Sequence, residues 1–418
     1  MTSRFGLRAA TAVLGLLLPL LLAWWQGCNV YNSSLLLPGI GEGGPEAAAD
    51  AGATCLAKWP QPPAQNDLAD SGEETWVVAM QTVNVGANPD AGAILPDSGT
   101  PLPPIGFDLD NDCTCCTERS MNACVTGGSC VGSSVVCDDD AGRDHIALNI
   151  FRVVPNASAA ANAGMQAGQF SILLQVSGYN GTLNDANVTV ALYVSNGLVG
   201  IQDGGSVTPH HDGTDMWTVD SHYIATTQTG GTVPEGTACN GTSACQPIYV
   251  DNSAWVTNGV LVARPEATLP LTFGYRANIG GALMKLNDTV ISGTLHPIEV
   301  GGGPRVWGIV NGSISGRWES AQLLSNLATL PNPDVDGSYL CGTDPQLGTL
   351  YHSAKTYICS LQDIASIQAL DNTMSMCDSL SMSLGFTAES AMLGTVYTVD
   401  PPPSGCVSEA GLWSDTCQ

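Results

Sequence analysis

The alternation of apolar and polar residues between Phe170 and Ile314 constrains this chain more than any other feature. Phe170, Ile172, Leu174 and Val176 fall on one face of an extended segment. Val188, Val190, Leu192 and Val194 repeat the pattern, with Thr189, Ala191 and Tyr193 opposite, and Trp217, Val219 and Tyr223 share a face of a third run. A period of two belongs to strands whose side chains alternate between core and surface. Residues 76–85, 255–263, 269–275, 283–291 and 306–314 are further β-rich stretches. Tyr179-Asn180-Gly181, Asp203-Gly204-Gly205, Asn258-Gly259 and Asn311-Gly312 read as the turns between them. Many short strands divided by Gly and Asn turns predict a mainly β fold, an antiparallel β-sandwich of jelly-roll-like type.

The pattern changes towards the C-terminus. Leu323, Leu324, Leu327 and Leu330 recur at helical spacing up to Pro331, and Asp344-Pro345 has the chemistry of a helix start. Leu350, Ala354, Tyr357, Ile358, Leu361, Ile364 and Ala365 then form an apolar stripe. A shorter helix is expected over 374–384, stopped by Gly385. The segment from Ile146 to Met165, rich in Ala, also leans to helix. The expected organisation is a signal peptide at 1–27, a flexible tether at 28–54, and a sandwich over 55–400. That sandwich carries a Cys/Asp-rich insertion at 106–144 and a helical segment at 318–385, and is followed by a disulfide-tied tail at 401–418.

The address is written in the first residues. Arg4 and Arg8 precede an uncharged apolar run from Ala9 to Trp25, the layout of a secretory signal, with an uncleaved anchor as the competing reading. Gln26-Gly27-Cys28 follows, and Gly27-Cys28 resembles the end of a bacterial lipobox, where cleavage precedes a cysteine that is then acylated. Trp25 and Gln26 depart from the leucine and small residue usual there. The resemblance implies lipidation at Cys28 and attachment of the protein to a membrane through its N-terminus.

The chain has 15 cysteines. With Cys28 set aside for lipid, the rest form an even set, as expected of disulfides in an oxidising compartment. Cys239 and Cys245 read as a small closed loop. Removing that pair leaves odd numbers on either side: Cys55, Cys113, Cys115, Cys116, Cys124, Cys130 and Cys137 upstream, and Cys341, Cys359, Cys377, Cys406 and Cys417 downstream. Full oxidation then requires at least one bridge between the two halves.

Net charge is −26, from 38 acidic against 12 basic residues, which counts against nucleic acid and anionic lipid surfaces as partners. It favours divalent cations. Asp108, Asp110 and Asp112 alternate as in the first positions of a calcium loop, but Cys113 stands where the turn glycine belongs and Arg119 where the bidentate glutamate belongs. A looser calcium site joined by Asp138, Asp140 and Asp144 is the candidate; a solvated acidic loop is the alternative. His210-His211-Asp212 with Asp215, His222 and His296 lacks a zinc-binding spacing and fits a polar turn equally well. Trp217, Tyr223 and Trp255 are candidate ligand-binding rings for a glycan, with burial in a core as the competing outcome.

No Gly-x-Ser-x-Gly elbow, phosphate-binding glycine loop or Ser-x-x-Lys is present, and no catalytic residue is assigned. No cofactor is required by these residues; calcium is the one candidate. Gly27-Cys28, Lys58-Trp59-Pro60, the stretch FDLDNDCTCC at 107–116, CDDDAGRD at 137–144 and SLGFTA at 383–388 together resemble a set of uncharacterised, cysteine-rich lipoproteins of myxobacterial type. That resemblance implies an envelope address, at the outer membrane, and brings no activity with it. The expectation is an exported, lipid-anchored cell-envelope protein, or a secreted one, with a non-catalytic binding, adhesion or structural role. Its partners would be the membrane and an extracellular glycan or envelope protein. Two alternatives stand beside it: a carbohydrate-binding β-sandwich stabilised by calcium, and a glycoside hydrolase-like enzyme drawing on acids such as Asp220, Glu266 and Glu299.

Overall fold

The computed structural model describes residues 58–64, 72–86, 105–110, 143–147, 150, 157–201, 206–226, 230–240, 243–273, 282–298, 306–327, 348–371, 375–398, 407–408, 411–412 and 415–417. The signal, tether and cysteine cluster predicted above lie outside these residues.

The fold is mainly β, and its centre is a closed eight-stranded antiparallel barrel, which corrects the expected sandwich. The ring is formed by β1 (Glu74–Asn84), β2 (Ser171–Tyr179), β3 (Asp185–Ser195), β5 (Tyr249–Thr257), β6 (Val260–Ala263), β8 (Ala282–Ile298), β9 (Val306–Glu319) and β10 (Ser379–Tyr397). It closes where β1 and β10 pair, from Val77 opposite Ala391 to Asn84 opposite Gly385. Two short strands lie off the ring: β4 (Met216–Asp220) runs parallel to the far half of β10, and β7 (Leu269–Phe273) pairs with β8. β11 (Val407–Ser408) and β12 (Gly411–Leu412) form a separate small ribbon.

The strand that decides the topology, β10, begins within the residues 374–384 expected to be helical, so 379–384 are strand and not helix. Residues 379–384 read Ser-Leu-Ser-Met-Ser-Leu, and all six side chains are buried, serines on one face and Leu380, Met382 and Leu384 on the other. Strand β10 pairs with β9, β1 and β4, so without it the sheet has no closing member. Gly385, expected to end a helix, lies inside this strand opposite Ser313.

Register carries one face around the whole ring. Val78, Leu174, Leu192, Val256, Leu261, Ile291, Ile314 and Leu384 supply one residue from each strand to a single buried cluster. An eight-stranded barrel is just wide enough for side chains to fill, and these do, so the interior is a packed core and not a channel. Burial at about 25 cal/mol per Å² of apolar surface makes this the main source of stability.

Curvature comes from bulges and glycines. Asn258 (φ 51°) and Gly259 (φ 78°) make the two-residue hairpin between β5 and β6, as predicted. Asn311-Gly312 is not a turn. It sits within β9, where Asn311 has φ 50° and the register against both neighbours slips. A left-handed residue in mid-strand produces a bulge, which bends the strand as closure requires. The Phe386 ring lies directly over Gly312; a Cβ there would come 2.6 Å from it.

Helices decorate the ring. α1 (Ala157–Gln166) caps the end of β1: Asn162 exchanges two hydrogen bonds with Val83, and Ser158 accepts from Val85 N–H. α2 (Ser320–Leu327) continues from β9 and buries Leu323 and Leu324 in the core. α3 (Gly348–Ser360) carries part of the predicted stripe: Ile358 is buried and Ala354 and Tyr357 are half-buried, Leu361, Ile364 and Ala365 lie beyond its end, and Tyr351, outside the stripe, is buried too. Among the described residues, no helix is long and apolar enough to cross a membrane.

Candidate functional site

The outer face of β8, β9 and β10 is polar yet buried. Ser292, Ser313, Ser315, Arg317, Ser381 and Ser383 line it, and two segments cover it. The first is 105–110, which alternates: Phe107 and Leu109 enter an apolar patch with Trp255, Val262 and Val290, leaving Asp108 and Asp110 on the other side. Gly106 has φ 102° and rests on Ser383, whose hydroxyl would lie 2.0 Å from any Cβ added there. The second is 143–147, fastened by Ser381: its hydroxyl accepts from Ile146 N–H and its carbonyl from Ala147 N–H.

The two segments bind each other. Asp144 N–H donates to the Phe107 carbonyl (3.1 Å), and Leu109 N–H donates to Asp144 Oδ2 (2.7 Å). The result is a cluster of three carboxylates, Asp108, Asp110 and Asp144, each offering an oxygen within 4.8 Å of the others. All three are over nine-tenths buried, at 0%, 6% and 2% exposure. These are half of the six acids proposed from sequence, brought together from opposite ends of the insertion. Asp112, Asp138 and Asp140 lie outside the described residues.

One cation reaches the node and another stands behind it. Lys58 Nζ lies 2.7 Å from Asp108 Oδ2 and also donates to the Asp108 carbonyl (3.3 Å). Arg317 is fully buried and holds the far side: Nη2 donates to the Leu109 carbonyl (3.0 Å) and Nη1 to that of Ala365 (2.8 Å). Its fork closes on both oxygens of buried Asp371, and Asp288 stands 3.3 Å from Nε. Burial pushes the Asp371 carboxyl above its ordinary value, with Arg317 working against that shift. His145 is fixed as a neutral ring. Ser383 N–H donates to Nδ1 (3.0 Å), so Nε2 carries the proton it gives to the Val85 carbonyl (3.1 Å). Both nitrogens serve the backbone, which makes His145 a strut for the covering segment.

Chemically the node offers hard oxygen donors in a dry setting. Such a set suits calcium, which takes clustered carboxylate and carbonyl oxygens, and not zinc, which prefers nitrogen and sulfur.

The other sequence candidates are placed as follows. Trp217, Tyr223 and Trp255 are buried, at 1%, 3% and 8% exposure, so these candidate rings take the competing outcome, burial in a core. Trp255 Nε1 donates to the Pro60 carbonyl, and Tyr223 OH to that of Pro270. Cys239 and Cys245 are bonded as predicted. His210-His211-Asp212 is a polar turn: Asp215 accepts from both histidine N–H groups, with His211 at φ 57°. Asp220 is committed to capping the turn at Ser221–Tyr223, to the His222 ring and to Asn196. Cys28 and Glu299 lie outside the described residues. Sequence reasoning missed Lys58, His145, Arg317 and Asp371. A lone arginine amid alternating serines was the available signal.

No protein family, no curated protein and no solved structure matches this chain.

Proposed function

We propose that this chain is exported and acylated at Cys28, and serves in the cell envelope as a tethered, non-catalytic binding or structural protein. The observation that carries the reading is where the disulfides lie. Cys239–Cys245 closes a loop beside the barrel, Cys359–Cys417 joins α3 to the C-terminal tail, and Cys377 is bonded too. Bridges packed against the core suit a domain that matures where thiols oxidise. The first described residues also fit a tether leading onto the barrel. Lys58 pairs with Asp108, and Trp59 packs edge-on against Phe107 and under Arg264. A chain entering at this strap would hang from its lipid by residues 28–57. Labelling with an alkyne-bearing fatty acid tests this: the wild-type protein takes the label and stays with membranes, and Cys28→Ser takes none and is released. Equal membrane retention of an unlabelled Cys28→Ser would overturn it.

A second reading rests on the carboxylate node. Calcium at Asp108, Asp110 and Asp144 would tie segments 105–110 and 143–147 to the barrel wall without taking part in any reaction. Melting of the full-length protein in calcium is then higher than in chelator by several degrees, and Asp144→Asn removes the difference. Identical melting in both buffers would contradict calcium here.

A further inference from the structure

A cleft of about 750 Å³ opens between α3, the β9–α2 junction, residues 376–378 and the tail. Its two walls differ in sign. His352, Lys355, Thr356 and Cys359 occupy one face of α3 at i, i+3, i+4 and i+7 and bring an ammonium and an imidazole into it. Opposite stand Glu319, the last residue of β9, and Asp378, which immediately precedes β10.

Several groups retain capacity for a ligand. Lys355 has three donors, and the one described contact goes to Asp415 Oδ1 (2.7 Å). The His352 side chain is exposed, and its ring nitrogens make no hydrogen bond among the described residues. Glu319 is exposed, accepts from Asn287 Nδ2 through one oxygen, and has no cationic partner among the described residues. Met376, 51% exposed, adds a pliable apolar surface at the rim. The walls are held in place by covalent bonds: Cys359–Cys417 joins α3 to the tail, and Cys377 is bonded as well. Rigid walls cost little ordering on binding.

We propose that this cleft binds a short zwitterionic peptide, with its carboxylate on Lys355 and His352 and its ammonium on Glu319. A volume within the usual range for ligand pockets accommodates two or three residues. Neither the anchoring nor the calcium reading is needed for it.

Calorimetric titration of the full-length protein with trialanine tests the proposal, alongside N-acetyl-trialanine and trialanine amide. Free trialanine should bind saturably, and each capped form about tenfold or more weakly, as expected for loss of one charge-assisted contact. Glu319→Gln should weaken the free peptide by a similar factor and leave the acetylated one unchanged. His352→Ala should do the same with respect to the amide. Both side chains are exposed, so unchanged melting of the variants serves as the folding control. Absence of saturable heat, equal binding of the capped peptides, or equal affinity in Glu319→Gln would each overturn the proposal.

Discussion

At the scale of single residues, the fold is governed by how buried charge is met. Arg317 is enclosed because Asp371, Asp288 and two carbonyls answer it, and none of these partners is near it in sequence. The one local signal is an arginine amid alternating serines at 313–317, and it does not reveal partners that lie far off in sequence. The acids at 108, 110 and 144 are visible in the sequence as members of two acidic runs at the ends of the cysteine-rich stretch. Which three would converge depended on the Leu109–Asp144 hydrogen bond and not on spacing. At the tail, burial alone would raise the Asp415 carboxyl. Hydrogen bonds from Lys355 (2.7 Å), Tyr351 (2.7 Å) and Thr416 N–H (2.8 Å) outweigh it and hold the group below its usual value. A carboxyl so depressed stabilises the fold above its ordinary pKa of about 4, and that contribution is lost as pH falls through its folded value. Asp415→Asn should therefore melt lower than wild type at pH 7, with the gap closing as the carboxyl is protonated in acid. A gap that is constant with pH would show that Asp415 acts by packing alone.

At the scale of elements, alternation was read well wherever one face is apolar and the other plainly polar. β1, β2, β3 and β7 fall where the sequence placed them; the stretch 255–263 holds the end of β5, the Asn258-Gly259 hairpin and β6, while β5 itself starts earlier, at Tyr249. The errors share one cause. In β9 and β10 both faces are buried, so small polar residues stand where solvent-facing ones were expected, and the glycines and asparagine sit inside strands. By sequence alone, Gly312 and Gly385 have the look of punctuation between elements. In the barrel, Gly312 leaves room for the Phe386 ring from the neighbouring strand. Gly312→Ala should then cost about 1–3 kcal/mol in urea unfolding, the usual range for overpacking. A neutral substitution would mean that the ring has somewhere else to go.

At the scale of the whole molecule, a sandwich and a barrel present the same alternation to a reader of sequence. They differ in whether the first strand finds the last. Here β1 and β10 are some 300 residues apart in the chain, and their pairing follows from the bend in β9 and the length of β10. Closure leaves no open edge on the ring, and the peripheral layers are then fastened by disulfides and by the Lys58 strap. The functional account depends on those disulfides. Intact-mass and thiol analysis of native protein is its most direct test. The account predicts loss of residues 1–27, acyl mass on Cys28 and no free thiol. A chain that retains Met1 and carries free thiols at Cys239, Cys245, Cys359 and Cys417 would contradict it.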